Sequence, residues 1–421
     1  MQSIKPLLPL FIAGGLLLGG NGVQGSLIAL RGANEGFSAE FIGFLGSAYF
    51  GGFLVGCFLV PAMLRSVGHI RAFSALAAIA ASATVLLVIM VDPISWLVLR
   101  FLMGVCFSCL FTTIESWLNA GTSNDGRGRI LSIYRLVDLA AVTGAQYLLP
   151  IFGVDGFTLF GILAILTCLS LVPVSLGDRS KPEPPKNFRF DLRKAFAISP
   201  VACIGCITIG LTNSSFRLIG PLYATEIGFD ITDVATFMSA GIIGGFVLQY
   251  PLGLLSDRVD RRLTLILATI GAVGSGLFLS YFAGDNHLLN YAGIFAFGAF
   301  ALPLYSLSAA HANDHVGQSG NTADYVVIAA GLIFFFSIGA IIGPLISSIL
   351  IDQFGARALF TYTSVVHASL IVIVLRRIQK RGPVEKSKRT RFVALLRTSP
   401  QIFKLAKRDK SGVDKPNEEA E

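Results

Sequence analysis

Five ionisable residues stand inside long apolar runs of this 421-residue chain: Arg100, Glu115, Arg135, Asp138 and Arg217. In a bilayer core each costs ~2.5 kcal/mol or more on insertion scales, so such residues serve solute binding, ion coupling or internal pairing. Glu115 and Arg135 flank a polar stretch centred near Asn124 at similar distances, so antiparallel helices bring them to one depth. Arg135 and Asp138 are spaced i, i+3 and share a helix face. The spacing predicts a Glu115–Arg135–Asp138 network, either an ion-pair clamp that never meets solute or a relay that couples ions to it. Arg217 lies about two turns below one end of its run, with no carboxylate close in sequence. It either snorkels to the interface or holds an anionic group in a central cavity. Arg100 lies at similar depth, and the two together would favour an organic anion or zwitterion.

The other polar residues within apolar runs are Asn21, Gln24, Thr112, Gln146, Asn213, Gln249 and Tyr305. Each either lines a cavity or glues helices together, worth ~0.6 kcal/mol apiece. Six cysteines (Cys57, Cys106, Cys109, Cys168, Cys203, Cys206) all fall in apolar runs, two pairs with CxxC spacing. Inside a continuous helix they read as small packing residues, not as a redox or metal motif. His311, His315 and His367 have no HExxH context, so neither metal nor cofactor is expected. There is no GxSxG and no phosphate-binding GxxxxGK[ST], which argues against an enzyme and against direct use of ATP.

Elements that hold such residues must be membrane helices. Apolar residues make up 53% of the chain and charged ones only 14%, against about 25% charged in soluble domains. At ~20 residues per crossing, twelve spans are expected near 7–31, 38–64, 70–91, 94–120, 129–152, 155–177, 199–225, 231–256, 262–283, 287–312, 323–351 and 355–378. Arginines and lysines gather at alternate connections and acids at the others, which predicts both termini inside. The Pro-rich, charged stretch 178–197 reads as a linker between halves 1–177 and 198–378. Residues 376–421 carry 14 Lys/Arg and 6 Asp/Glu, which accounts for the whole net charge of +8. A basic tail over 379–421 beside a membrane answers to anionic lipid headgroups, not nucleic acid; within it Phe392, Leu395 and Leu396 against Arg389, Arg391 and Arg397 would make either a short interfacial helix, limited by Pro400, or a disordered basic extension.

The halves repeat at an offset of 192 residues: Asn21 meets Asn213, Gly36-Phe37 meets Gly228-Phe229, and Gly52 meets Gly244. Same-sense repeats predict an all-α membrane protein of two six-helix bundles, related by a pseudo-two-fold axis along the membrane normal, with a site between them.

One charged gap carries a family likeness. Gly253-Leu-Leu-Ser-Asp257-Arg258-Val-Asp260-Arg261-Arg262 resembles the loop motif G-x-x-x-D-R-x-G-R-R of the major facilitator superfamily. The first-half copy runs from Pro61 through Arg65, Gly68 and Arg71, with Arg65 where that pattern has Asp. A carboxylate there can pair with Arg and accept from helix N-termini, latching two bundles in one state. Arg100 and Gly104 fit the superfamily's fourth-helix R-x-x-x-G, Gly339 to Pro344 resembles its eleventh helix, and the hairpin Thr112 to Asp138 is similar to a YcaD-like branch of bacterial carriers. The span-five Gly-Pro pair of many drug/proton antiporters is missing. The resemblance implies that spans 1, 4, 7 and 10 line the cavity, which puts Asn21, Gln24, Asn213 and Tyr305 first. It implies a secondary carrier of a small organic solute in the bacterial inner membrane, working by alternating access as a monomer, with protons coupled through Glu115 or Asp138. A drug exporter of the same fold, a non-transporting receptor and a membrane-embedded enzyme are the competing readings.

Overall fold

In lipid a helix is the element that pairs every backbone N–H and C=O within its own segment, and the apolar runs fold accordingly. The structure is a computed structural model, and the residues it describes are 7–120, 127–176, 191–319 and 323–380, with Gly382, Val384, Arg389 and Phe392. The first half holds α1 (Leu8–Gly22), α2 (Gln24–Asn34), α3 (Ala39–Val67), α4 (His69–Ile89), α5 (Pro93–Ala120), α6 (Arg127–Gln146), α7 (Leu148–Phe152), α8 (Thr158–Leu169) and α9 (Leu171–Leu176). After α10 (Leu192–Ile198) come α11 (Pro200–Glu226), α12 (Ile231–Arg258), α13 (Arg261–Tyr281), α14 (His287–Ala301), α15 (Leu304–Ser319), α16 (Ala323–Phe354) and α17 (Arg357–Lys380).

Four pairs are single rods with a break: α1–α2, α6–α7, α8–α9 and α14–α15. The last breaks at Leu302–Pro303, where proline has no N–H to give and crowds the preceding turn. Counted this way, twelve rods stand where twelve spans were expected. Among the described residues, eleven are long and apolar enough to cross a membrane. The fifth (α6–α7) falls short because Arg127, Arg129, Arg135 and Asp138 lie on it. The tenth runs on to Ser319, seven residues past the expected end at 312. The close of the expected linker is helical as α10, started by Asp191 accepting from the Lys194 N–H at 2.9 Å and pinned to α16 by Lys194–Asp324 at 2.6 Å.

The two halves fold alike in detail. Gly36 (φ 81°) ends the first rod: Phe37 N–H reaches Gly32 C=O at 2.9 Å, and Ser38 then caps α3 by accepting from Phe41 N–H. At the same offset Gly228 (φ 93°) ends α11, Phe229 N–H reaches Ala224 C=O at 3.0 Å, and Asp230 caps α12. Only glycine takes such a left-handed turn at no steric cost. Gly52 and Gly104 let rods 2 and 4 touch backbone to backbone, and Gly244 and Gly298 do so for rods 8 and 10. Packing repeats too: rod 1 on 5, 2 on 4 and 3 on 6 are matched by 7 on 11, 8 on 10 and 9 on 12. Between halves, rod 2 meets rod 11 and rod 5 meets rod 8. Exchanging the halves converts one of these contacts into the other, which is the mark of a two-fold relation.

Candidate functional site

The first rod breaks at Val23 (φ −90°, ψ −12°), beside two glycines that make room for neighbours. A side chain on Gly22 would meet Val142 of the fifth rod, and one on Gly25 would meet the Arg217 carbonyl of the seventh. The break therefore lies where the halves touch. Gln146 serves it directly: its amide donates to Gly22 C=O at 3.1 Å, and its oxygen accepts from Ser26 at 2.9 Å. One turn away, Asn21 accepts from the Tyr49 hydroxyl at 2.9 Å, and the Tyr49 ring carries the Arg100 guanidinium 4.5 Å from its centre.

Two members of this cluster have unused capacity. Arg100 is 3% exposed, yet its Nε and Nη1 have no acceptor; Gln24, also 3% exposed, has no partner for either amide atom. Buried polar groups nearly always find partners, and an unsatisfied buried charge is among the costliest arrangements a fold can hold. Arg100 offers a planar fork suited to a carboxylate, and a primary amide both donates and accepts.

From the second half, Asn213 and Arg217 are half-buried on α11, while Tyr305 is buried on α15 with no hydrogen-bond partner for its hydroxyl and its ring edge-on to Phe336. Thr112 donates to its own helix at Ser108 C=O. Glu115 is fully buried on α5. Arg135 on α6 crosses between halves: Nη2 donates to Gln249 on α12, whose amide donates on to Ser306 at 2.7 Å, and its guanidinium lies 5.2 Å from the Phe246 ring centre. Asp138, one turn along the same helix, is half-buried.

The charged loops are built differently in the two halves. In the first, Arg65 and Arg71 are exposed and Gly68 turns the chain at φ 80°. In the second, Arg261 is buried and gathers Asp257 (3.1 Å), Ser256 (3.0 Å) and, from α15, Asp314 (2.6 Å). Asp260 takes the place of Gly68 at the repeat offset; it caps α13 and holds Arg262 in a two-pronged pair, shortest at 2.7 Å. Burial raises its carboxyl, but the Arg262 hydrogen bonds outweigh that and hold it below the usual range. Arg258 is exposed. Gly253 faces the Phe392 ring, and Asp257 accepts the Phe392 N–H.

Several participants escaped the sequence reading: Tyr49, Ser26, Ser306 and Asp314, while Phe392, expected in a tail helix, instead serves the second loop. Among the described residues no three His, Cys, Asp or Glu side chains converge as a metal site, and all six cysteines are free. Of the expected tail helix, Leu395, Leu396, Arg391 and Arg397 lie outside the described residues, and Arg389 and Phe392 are non-helical.

The profile of the Major Facilitator Superfamily matches residues 10–335. An uncharacterized MFS-type transporter of Yersinia pestis (strain Pestoides F) is 26% identical over 343 residues, covering 80% of this chain and 86% of that one. The uncharacterized MFS-type transporter YcaD of Shigella flexneri is 26% identical over 364 residues, covering 84% and 91%. Among solved structures, the nucleoside transporter NupG superposes with a TM-score of 0.73 at 11% identity, covering 90% of this chain and 100% of that one. A bacterial homologue of the human lysosomal transporter Spinster, inward-facing and unoccupied, superposes with a TM-score of 0.71 at 14% identity, covering 92% and 98%. At these identities the two structures speak to fold alone.

Proposed function

Since the chain belongs to the major facilitator superfamily, we propose that it is a secondary carrier that moves a small organic anion or zwitterion by alternating access. One observation carries the substrate class: the buried Arg100, with two nitrogens lacking acceptors, beside the broken first rod and its open Gln24. A carboxylate placed on that fork would supply the acceptors the fold withholds. Asn213, Arg217 and Tyr305 are the groups we assign to the other wall. Rods 2 with 11 and 5 with 8 are the seams along which the halves rock. With no ATP-binding motif, the energy comes from an ion or solute gradient, and Glu115 or Asp138 would carry a coupled proton. We assign halves 1–177 and 198–378, a linker 178–197 and a basic tail 379–421 held near anionic headgroups. The charge pattern favours both termini in the cytoplasm of a bacterium, with the carrier a monomer in the inner membrane.

Counterflow in proteoliposomes tests the reading. Vesicles loaded with single carboxylates or amino acids should take up the matching labelled compound faster than protein-free vesicles, for at least one member of the panel. Arg100→Gln should lower that exchange at least ~tenfold, the loss of one charged hydrogen bond or more. Full exchange by Arg100→Gln, or exchange confined to cations and uncharged solutes, rejects the anion assignment. No exchange of any small solute rejects the carrier.

A further inference from the structure

The loop carboxylate expected to latch the two halves is already engaged, and among the described residues its partners come from its own loop and from the tail, not from the first half. Asp257 takes Arg261 on one oxygen at 3.1 Å. Both its oxygens also accept the backbone N–H of Phe392, at 2.9 and 3.1 Å, from the segment that follows α17. Two further contacts seat that segment. Arg389 donates to the Val259 carbonyl at 2.7 Å and, through Nε, back to Val384 C=O at 3.0 Å, which sets Arg389 against the α12–α13 turn. Val384 is buried, and the Phe392 ring packs against an apolar cluster that includes Leu252 and Val374, near the ends of rods 8 and 12, and Leu304, at the break of rod 10. The ring occupies the space that any side chain on residue 253 would fill. The first half has no such seat, since Pro61 and Arg65 stand where Gly253 and Asp257 do.

We propose that Val384, Arg389 and Phe392 form a clip, which holds Asp257 to the second half and favours the state in which the halves are apart at the arginine-rich end. The named contacts between halves lie elsewhere: Gly43 against Pro344, Ser47 on Ile341 C=O, Ser239 on Thr143 C=O and Arg135 on Gln249. For Asp257 to reach across to the first half, it must first release the Phe392 N–H. Clip and latch therefore compete for one carboxylate, and the strength of the clip sets how often the arginine-rich end closes. The inference rests on the alternating-access reading.

Spin labels at Ser66→Cys and Leu263→Cys, one at the arginine-rich end of each half, report that closure in liposomes. A Cys168→Ser background suffices because the other five native cysteines are buried. The full chain should show mainly the longer separation. Truncation after Lys380 and, separately, Phe392→Pro (which removes the donor) should shift the population about tenfold toward the shorter one, the scale expected for a hydrogen bond to a charged group. A synthetic peptide of residues 382–396 added to the truncated protein should restore the original distribution. Unchanged distances in both variants, or a shift to longer ones, overturn the clip. Arg135→Ala, which cuts the tie between rods 5 and 8, separates the two readings. If it moves the distances and the clip variants do not, the clip alone fails; if nothing moves them, the two-state carrier fails with it.

Discussion

Arg100 sets the strongest demand at the residue scale, because its charge is buried and two of its nitrogens are unspent. Tyr49→Phe removes the hydroxyl that ties the arginine's ring platform to Asn21. It should cost about 1 kcal/mol or less in stability, while lowering exchange of the anion proposed as substrate, because the guanidinium loses its fixed orientation. Thermal unfolding and counterflow on one preparation separate the two effects. Asp260 gives a pH dependence. Its folded pKa lies below the usual value through Arg262, so its contribution to stability is complete above the unfolded pKa of ~3.9 and fades as pH falls through the folded value. Asp260→Asn keeps a side chain that caps as well as Asp but removes the charged pair with Arg262; it should cost about 1 kcal/mol or less at pH 7, and the gap from wild type should narrow below about pH 4 in unfolding curves. Arg100, Gln24 and Gln146 were legible as polar residues in apolar runs. Tyr49 was not, since in a chain with 33 Phe and 10 Tyr one more aromatic ring looks like packing until a guanidinium is found on it.

Glycine crossings decide the packing of the elements. A Cβ on Gly104 would run into the Tyr49 carbonyl, and one on Gly298 into the Gly241 carbonyl, the equivalent contact in the other half. Gly104→Val and Gly298→Val should each destabilise by ~1–3 kcal/mol or more, as overpacking does, and by similar amounts. A large inequality in their melting temperatures would mean that the repeat is not energetic. The repeat itself was legible because glycine turns and caps leave identical residues at a fixed offset: Asn21 with Asn213, Gly36 with Gly228. The break at Val23 was not, for it carries no proline and is maintained by Gln146, which lies far along the chain. Nor was α10 legible, since seven helical residues at the end of a Pro-rich, charged stretch have too short a period to read.

For the whole molecule, the proposed alternating access turns on which seam opens. Gly43 seats rod 2 against Pro344 and Ser348 of rod 11. Gly43→Leu should wedge that end apart and populate the state closed at the arginine-rich end, which cysteine accessibility at Ser66→Cys and Leu263→Cys would register as reduced labelling. The bundle order was legible from composition and charge, but the asymmetry of the two loops was only half so: Arg65 was visible as a departure, whereas the use made of Asp257 depends on residues far away in sequence. The fifth rod bears, finally, on how such a chain is made. Insertion scales charge ~2.5–3.5 kcal/mol for each Arg or Asp at a helix centre, and this rod carries both Arg135 and Asp138. The first rod, which packs on it, is synthesised earlier, but Gln249, which takes its arginine, lies on rod 8, after two more rods have been made. The arginine of the fifth rod therefore meets its partner only once rod 8 has been made, which ties the final seating of that rod to the synthesis of both halves.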